Sequence, residues 1–368
     1  MNKVFEHRRR QLQARLAEED LDRLLITHPP DWYYLTGFTG DSGALVISRE
    51  AGKSAALVTD GRFVAQAGDE ASGVKIVQQG GALYPAVGKF LAAGRGRRVG
   101  FDSGQLTVAQ HSELLHATGK RVAWHRASGF VAGLRMRKEP VELAAMRRAA
   151  VLAGEVMEAG ARMLKPGVRE FEVAAEIEYQ MKQRGASGTA FETIVAFGER
   201  SALPHARATG KRLRKNALVV LDLGAILAHY CSDMTRTYYV GRASSRVRAW
   251  YRGVLEAQAA AIAAVKSGAS CGDVDAAARD VLAGYRLDGH GLDHYFVHST
   301  GHGLGLEVHE DPRVARGQRK VLEPGNVITI EPGVYFPGVG GIRIEDDVVV
   351  HENRTEVLTR VSRDFTEI

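Results

Sequence analysis

The chain of 368 residues carries 49 lysines and arginines and 43 aspartates and glutamates, with a formal net charge of +6. Hydrophobic residues make up 45% of it and charged residues 25%, the usual balance of a globular protein, and the length suggests two domains. Its two cysteines, Cys231 and Cys271, form neither a CxxC pair nor a zinc framework. We therefore expect a reducing compartment and a fold that needs no disulfide.

Membrane and nucleic-acid partners are both disfavoured by the composition. Residues 1–19 are strongly charged and lack the apolar stretch of a signal peptide. No apolar run reaches the roughly 18–20 residues that span a bilayer. Basic clusters at 95–98 and 211–215 come without an aromatic-rich motif, which favours solvated surface over a nucleic-acid site. The sequence predicts a cytoplasmic protein without membrane or nucleic-acid partners.

The first third of the chain alternates helical and strand-like segments. Helices are predicted over residues 3–18 and near 62–71, 82–93 and 107–117. Strands are predicted at 21–27, 44–48, 55–59, 74–78 and 98–102. This alternation predicts an α/β domain over residues 1–132, with a boundary in the charged segment 132–137. No catalytic constellation is visible in this domain.

The remaining residues, 138–368, resemble a diverged duplication. Two long helices are predicted at 141–164 and 244–266, and each leads to a Lys-x-Gly turn and an Ala-rich helix. Each unit then continues to a histidine-bearing loop, a strand with a carboxylate and a returning strand. These segments are 203–206, 217–224 and 232–240 in the first unit, and 298–310, 326–333 and 341–350 in the second. Two such halves can close around one site.

Four carboxylates occupy comparable places on the two hairpins: Asp222, Asp233, Glu331 and Glu345. Asp222 and Glu331 each follow four apolar or β-branched residues, where an unpaired carboxylate is costly. A core ion pair explains any one of them equally well, but four together repel unless cations neutralise them. Two divalent metals would do so, and an oxygen-rich site with one imidazole suits manganese, cobalt, iron or zinc.

The segment HSTGHGLGLEVHE supplies three histidines, His298, His302 and His309. Its glycines at 301, 303 and 305 let the backbone turn tightly near a ligand. A phosphate loop is disfavoured because the Lys-Ser/Thr ending is absent, and the HxxxH spacing lacks the glutamate of a zinc-protease helix. The segment therefore predicts an imidazole ligand beside the carboxylates.

Five motifs, LDLG, SDMTRT, HSTGHGLGLEVHE, ITIEPGVY and GIRIEDD, resemble those of the pita-bread metallopeptidases, in the branch of Xaa-Pro aminopeptidases and prolidases. YLTGFTGDSG at 34–43 is similar to the creatinase-type domain that precedes this fold. The resemblance implies an α+β chain. Its pseudo-twofold pita-bread (creatinase/aminopeptidase) catalytic domain would occupy 138–368, after a smaller α/β creatinase-type domain at 1–132.

The resemblance also implies a role for each metal-binding residue. Asp222 would bind the first metal, Asp233 and Glu345 would bridge both, and His302 and Glu331 would complete the second. Water shared by the two metals would attack the peptide carbonyl as hydroxide. Glu331 would then pass a proton to the leaving nitrogen.

Further residues are implied to face the substrate. His309 would donate to the oxyanion and His205 would lie beside the substrate, while His298 would flank the proline pocket. Arg343 would either pair with a substrate carboxylate or form a salt bridge with a metal-binding carboxylate. Tyr335 would either line the site or pack in the core.

The implied activity is cleavage of an N-terminal residue from a penultimate proline. We expect a Xaa-Pro aminopeptidase because YLTGFTG is more similar to that group. The alternatives are a prolidase restricted to Xaa-Pro dipeptides, a creatinase-like amidinohydrolase, and a metal-retaining binding protein without turnover. The resemblance further implies two divalent metals per chain, Mn²⁺ before Co²⁺, Zn²⁺ or Fe²⁺, and a homodimer or larger homo-oligomer.

Overall fold

Two structural units, Met1–Arg135 and Met136–Ile368, divide the chain in the computed structural model, which describes residues 2–50 and 55–368. The helices of the first unit are α1 Asn2–Glu18, α2 Pro29–Thr36, α3 Val64–Glu70, α4 Leu83–Ala93, α5 Val108–Thr118 and α6 Phe130–Arg135, with a 3₁₀ turn at Gly119–Arg121. Its strands are β1 Arg23–Ile26, β2 Ala44–Ser48, β3 Ala55–Thr59, β4 Lys75–Gln78, β5 Arg98–Phe101 and β6 Ala123–Arg126.

The six strands of the first unit form one mixed sheet in the order β4-β3-β2-β1-β5-β6. β2 pairs antiparallel with both β1 and β3, and the other neighbours pair in parallel. The first three strands are almost wholly buried, as expected for apolar runs covered on both faces. The α/β prediction for this unit is confirmed.

Three elements of the first unit, α2, β6 and the six-residue helix α6, are absent from the sequence prediction. β6 has only four residues, two of them polar, so its pattern is weak. α2 begins with two prolines, which fit the first helical turn, and ends at Gly37 in the left-handed conformation, with φ 83°. Because α2 has only eight residues, it shows no clear helical periodicity.

The second unit contains four long helices, α7 Pro140–Arg162, α8 Glu170–Gln183, α9 Ser245–Ala264 and α10 Cys271–Gly284. Short 3₁₀ turns lie at Gly198–Ala202 and Leu292–Tyr295. The strands are β7 Gly188–Thr189, β8 Ile194–Phe197, β9 Ala217–Leu223, β10 Ala225–Leu227, β11 Tyr230–Cys231, β12 Met234–Val240, β13 Arg286–Leu287, β14 His290–Gly291, β15 Gly301–Gly303, β16 Glu310–Val314, β17 Val327–Ile330, β18 Gly333–Phe336, β19 Gly340–Arg343, β20 Asp346–Val350, β21 Thr355–Val357 and β22 Thr366–Glu367.

The two halves of this unit repeat one arrangement. In the first, α7 and α8 pack on the sheet β22-β12-β9-β8 through a core that includes Val156, Ile177 and Leu221. In the second, α9 and α10 pack on the sheet β16-β15-β17-β20-β21 through a core that includes Val254 and Ile328. Each sheet holds one antiparallel carboxylate-bearing pair, β9 with β12 and β17 with β20. The α+β architecture predicted for this unit is confirmed.

The prediction of one continuous strand over 341–350 is wrong. β19 pairs with β18 in a separate two-stranded sheet, whereas β20 pairs with β17. Between them, the amide of Glu345 donates to the carbonyl of Thr235 at 3.1 Å, on β12 of the other half. The chain therefore changes sheets at Glu345, and this change brings that carboxylate to the first half. Asp233 lies one residue before β12 and does not begin it.

In the part of the chain that the structure describes, no helix combines the length and apolarity required for crossing a bilayer.

Candidate metal centre

Four of the five expected ligands cluster in the second unit. Ligand atoms of Asp233, His302 and Glu345 all lie within 4.8 Å of one another. His302 Nε2 is 3.7 Å from Asp233 Oδ2 and 3.4 Å from Glu331 Oε1. The four side chains come from both halves, because Asp233 precedes β12 while His302 and Glu331 belong to the β15–β17 region. The repeat therefore closes around this cluster.

The fifth expected ligand, Asp222, lies in β9 beside the cluster. Its strand register places it opposite Thr235. Thr235 Oγ1 donates to Glu345 Oε2 at 2.6 Å, so one threonine links the two carboxylate-bearing segments. Asp222 Oδ2 accepts from Arg343 Nη2 at 2.7 Å. Its Oδ1 is buried and has no hydrogen-bond partner among residues 2–50 and 55–368, which leaves that oxygen available to a cation.

The backbone of the first half also fixes Asp233. Its amide donates to Asp347 Oδ2 at 3.1 Å, and Asp347 is itself buried on β20. This bond ties the turn before β12 to the strand that follows Glu345. The two carboxylates expected to bridge the metals are thus held by contacts between the halves.

His302 is positioned by its glycine neighbours on β15. A Cβ at Gly301 would lie 1.8 Å from the carbonyl oxygen of Thr329, and one at Gly303 would lie 2.1 Å from that of Asp311. The His302 ring uses Nδ1 to contact the Gly303 carbonyl at 3.0 Å, which turns Nε2 toward the carboxylates. Burial lowers the pKa of His302 to about 4, so the imidazole is neutral, the form that binds a metal.

We expect Gly301→Ala to weaken metal binding about tenfold or more, because the added methyl would push β15 and His302 away from β17. Isothermal titration calorimetry with the metal ion would measure the change in affinity. Gly284→Ala is the matched control, since a Cβ at Gly284 meets nothing within 4 Å. Unchanged metal affinity in Gly301→Ala would show that the tight strand contact does not position His302.

The carboxylates of the cluster strongly perturb one another. Burial, reinforced by neighbouring negative charges, raises the pKa of Asp233 and of Glu345 well above their usual ranges. Burial raises the pKa of Glu331 to about 8. Burial also raises the pKa of Asp222, although Arg343 opposes the shift. Without cations such a group holds protons. Four carboxylates, one of which is Asp222 with its unpaired oxygen, and one neutral imidazole therefore fit two divalent cations.

The remaining predicted histidines surround this cluster. The ring of His309 lies 4.4 Å from that of His302, at an interplanar angle of 70°. His205 is exposed and close enough to act electrostatically on Asp222, His298 and His309. The structure thus brings all three remaining histidines to one region.

A hydrogen-bond chain connects His298 to Asp222. His298 Nε2 lies 2.8 Å from the Tyr335 hydroxyl, which accepts from Arg343 Nη1 at 2.7 Å, and Arg343 Nη2 donates to Asp222. His298 Nδ1 contacts the Ser299 carbonyl at 2.8 Å, which leaves Nε2 to accept from the tyrosine. Burial lowers the pKa of His298 to about 3, and this ring is therefore neutral as well.

The contacts of Arg343 favour the second of its two expected roles. Besides Asp222 and Tyr335, its guanidinium donates to Thr235 Oγ1 at 3.0 Å and to the Pro204 carbonyl at 3.2 Å. The residue is 3% exposed. Arg343 is thus a buried partner of Asp222, one of the expected metal ligands. Tyr335 packs in the core while also lying in the hydrogen-bond chain.

Glu170, the first residue of α8, is a buried carboxylate that sequence reasoning missed. It accepts from the Phe197 amide at 3.0 Å, from Arg200 Nε at 3.0 Å, and from the amide and hydroxyl of Thr209 at 2.9 and 2.6 Å. Phe197 ends β8, and Arg200 and Thr209 belong to the segment between β8 and β9 that carries His205. An acidic residue in the first turn of a helix is usually explained by the helix dipole, which conceals this role. Glu170 therefore positions the His205 loop.

We expect Glu170→Gln to reduce kcat about tenfold while metal content stays unchanged. The glutamine NH₂ group would face the amides that now donate to Glu170, so the segment that carries His205 would lose its fixed position. Steady-state kinetics alongside metal analysis would measure both. Glu172→Gln is the control, since Glu172 caps the same helix turn by accepting from the Arg169 amide and does not hold the loop. Equal kcat in the two variants would contradict a positioning role.

Comparison with known families agrees with this geometry. The model of metallopeptidase family M24 matches residues 144–352, and that of the creatinase/prolidase N-terminal domain matches residues 8–137. This chain belongs to metallopeptidase family M24. The family uses divalent metals, as the carboxylate and imidazole cluster of this M24 chain predicts.

Relatives and solved structures named as Xaa-Pro peptidases match this M24 chain over nearly its whole length. The Xaa-Pro dipeptidase of Pyrococcus horikoshii is 36% identical over 351 residues, 95% of this chain and 96% of its own. The structure of the Xaa-Pro dipeptidase from Bacillus anthracis matches with a TM-score of 0.93 and 37% identity, covering 99% of this chain and 100% of that one. The X-Pro aminopeptidase from Thermotoga maritima matches with a TM-score of 0.86 and 32% identity, covering 95% and 98%. The resemblance to the pita-bread branch and the predicted fold are confirmed.

Proposed function

We propose that this M24 metallopeptidase is a prolidase, hydrolysing dipeptides in which proline is the second residue. The observation that carries this proposal is the cluster of Asp233, His302, Glu331 and Glu345 in a chain that is similar, over nearly its whole length, to Xaa-Pro dipeptidases. The sequence alone favoured an aminopeptidase, with prolidase as its alternative. The relatives support the alternative better than the first expectation.

Asp222, Asp233, His302, Glu331 and Glu345 would hold the two cations. When bound, these cations would supply Lewis acidity that lowers the pKa of water and stabilises negative charge on the carbonyl oxygen. Manganese is the first candidate, and metal analysis of the purified protein would identify the ion. A homodimer or larger assembly is proposed as well, to be tested by light scattering.

The chain's own residues would orient the dipeptide and move its protons. Glu331 would hold a proton and pass it to the proline nitrogen, a role supported by its place in the cluster, with Oε1 3.4 Å from His302 Nε2. That nitrogen carries no hydrogen in the substrate, so it must gain a proton to leave as an amine. His309, beside His302, would donate a hydrogen bond to the developing oxyanion. His205 would lie beside the substrate and His298 would flank the proline ring.

The decisive assay compares Ala-Pro with Ala-Pro-Ala, using the metal-loaded protein. We expect kcat/KM for the dipeptide to exceed that for the tripeptide by at least about tenfold. Equal or faster release of alanine from the tripeptide would instead support a Xaa-Pro aminopeptidase, the second candidate, which the similarity to the Thermotoga maritima enzyme favours. No cleavage of either peptide with metals bound would support a binding protein.

A further inference from the structure

One buried ion pair involves none of the expected metal ligands but reaches the turn that carries His309. Lys138 Nζ is 3.0 Å from Glu310 Oε2, and the two side chains are only 1% and 7% exposed. An ammonium buried to this extent is costly unless a carboxylate holds it closely. Lys138 precedes α7 and Glu310 is the first residue of β16, so the pair joins segments that lie 172 residues apart in the sequence.

The backbone that carries the Lys138 side chain is itself fixed. The Lys138 amide donates to the carbonyl of Gly325 at 2.8 Å, and a Cβ at Gly325 would lie 3.0 Å from the Lys138 carbonyl oxygen. Two residues earlier, the carbonyl of Met136 accepts from Asn326 Nδ2 at 3.1 Å. The Lys138 ammonium therefore projects from a backbone that is tied to the segment just before β17.

Glu310 in turn holds the 304–309 turn, which connects β15 to β16. Its Oε1 accepts from the amide of Glu307 at 3.2 Å. Its carboxylate also packs directly on Gly305, where a Cβ would lie 2.7 Å from Oε2 and 2.8 Å from Oε1. One oxygen of this carboxylate thus binds Lys138, while the other binds the turn.

His309 is the last residue of this turn and adjoins Glu310. Its ring lies 4.4 Å from that of His302, but it forms no hydrogen bond within the described residues, 2–50 and 55–368. The direction of the His309 imidazole therefore depends on the backbone of the turn. His302, by contrast, is held by the contact of its Nδ1 with the Gly303 carbonyl and by the close strand contacts of β15. Displacement of the turn should move His309 and leave His302 in place.

We infer that Lys138 and Glu310 are positioning residues for His309, with Lys138 fixing the carboxylate and the carboxylate fixing the turn that carries the imidazole. This inference rests on the proposed function, in which His309 donates to the oxyanion, and adds the residues that set the direction of that donor. Such a donor acts in the transition state more than in the substrate complex, so its displacement lowers kcat and leaves KM nearly unchanged. An ion pair that only stabilised the fold would lower activity equally with and without His309.

A double-mutant cycle with His309 tests the inference on the metal-loaded protein. Lys138→Met removes the cation, whereas Gly305→Ala displaces the carboxylate without changing any charge, so one variant still decides the question where the other folds poorly. We expect each to lower kcat for Ala-Pro about tenfold, with full metal content and KM within about twofold of the unmodified protein. In the His309→Ala background, each should change kcat by less than about twofold.

Arg137→Gln is the matched control for Lys138→Met. Arg137 neighbours Lys138 and pairs with Glu323 at 3.4 Å, but both of these side chains are more than half exposed, so kcat should stay unchanged. An unchanged kcat in both Lys138→Met and Gly305→Ala would overturn the inference. An equal loss of kcat in the presence and absence of His309 would overturn it as well.

Hydrogen exchange supplies a second readout, which needs no turnover. The Glu307 amide should exchange about tenfold faster in Lys138→Met than in the unmodified protein, because its acceptor loses a fixed position, and Arg137→Gln should not change this rate. Equal exchange in Lys138→Met and the unmodified protein would refute the positioning of the turn. The proposed function fails separately, when the unmodified metal-loaded protein cleaves no Xaa-Pro dipeptide, and the exchange rates then still show whether the ion pair holds the turn.

Discussion

Replacing Asp233 with asparagine is expected to lower kcat/KM for Xaa-Pro hydrolysis by at least about 10³-fold, equivalent to about 4 kcal/mol of transition-state stabilisation. Asp233 lies within the 4.8 Å cluster that includes His302 and Glu345, and its amide is fixed by Asp347. Asparagine keeps the shape of the side chain but removes the negative charge that two cations would share. Glu345→Gln should behave in the same way.

Metal content separates this explanation from a general loss of folding. Elemental analysis of Asp233→Asn should show reduced bound metal, while circular dichroism of the variant stays unchanged. Asp280→Asn on α10 is a suitable control because it neutralises an exposed carboxylate away from the cluster. Full activity with full metal content in Asp233→Asn would refute its assignment as a ligand.

The metal cluster could be predicted from the sequence because each ligand leaves a local signal. Asp222 and Glu331 interrupt or follow apolar strands, where a charge is costly without a partner. His302 lies between glycines that permit close strand contact, and the structure shows that contact. Such signals depend on a few neighbouring residues, so a single sequence carries them.

The partners that support the cluster could not be predicted in this way. Asp222 and Arg343 are 121 residues apart in the sequence. Their contact depends on how the sheets pack, so the sequence alone does not show that Arg343 pairs with this carboxylate instead of a substrate. Glu170 resembles an ordinary first-turn acid until its loop partners are seen. The change of sheets at Glu345 likewise depends on the carbonyl of Thr235, which belongs to the other half.

The metal-free protein should become less stable as the pH rises from 7 to 8. Burial raises the pKa of Glu331 to about 8, and raises those of Asp233 and Glu345 well above their usual ranges. A carboxyl group whose pKa is higher in the folded than in the unfolded state does not lower the free energy of unfolding at pH values below its pKa in the unfolded state. Above that value the unfolded chain ionises first, and stability falls until the pH passes the folded pKa. Each such group costs about 1.4 kcal/mol per pH unit in this window.

Urea unfolding of the chelated protein at pH 7, 7.5 and 8 would measure this slope, and Glu331→Gln should make it shallower. The neutral histidines do not affect this slope. The pKa values of His298 and His302 are lowered to about 3 and 4, so their contribution to stability is lost only at pH values below this range. A hydrogen bond from Arg147 lowers the pKa of Glu356 to about 2. The contribution of Glu356 to stability is therefore also constant in this pH range. Restored metal should flatten or reverse the dependence, since cations favour the ionised carboxylates. A chelated protein whose stability is constant or rises from pH 7 to 8 would show that the fold does not force these carboxylates together. The case for a cation-dependent site would then lose its electrostatic basis.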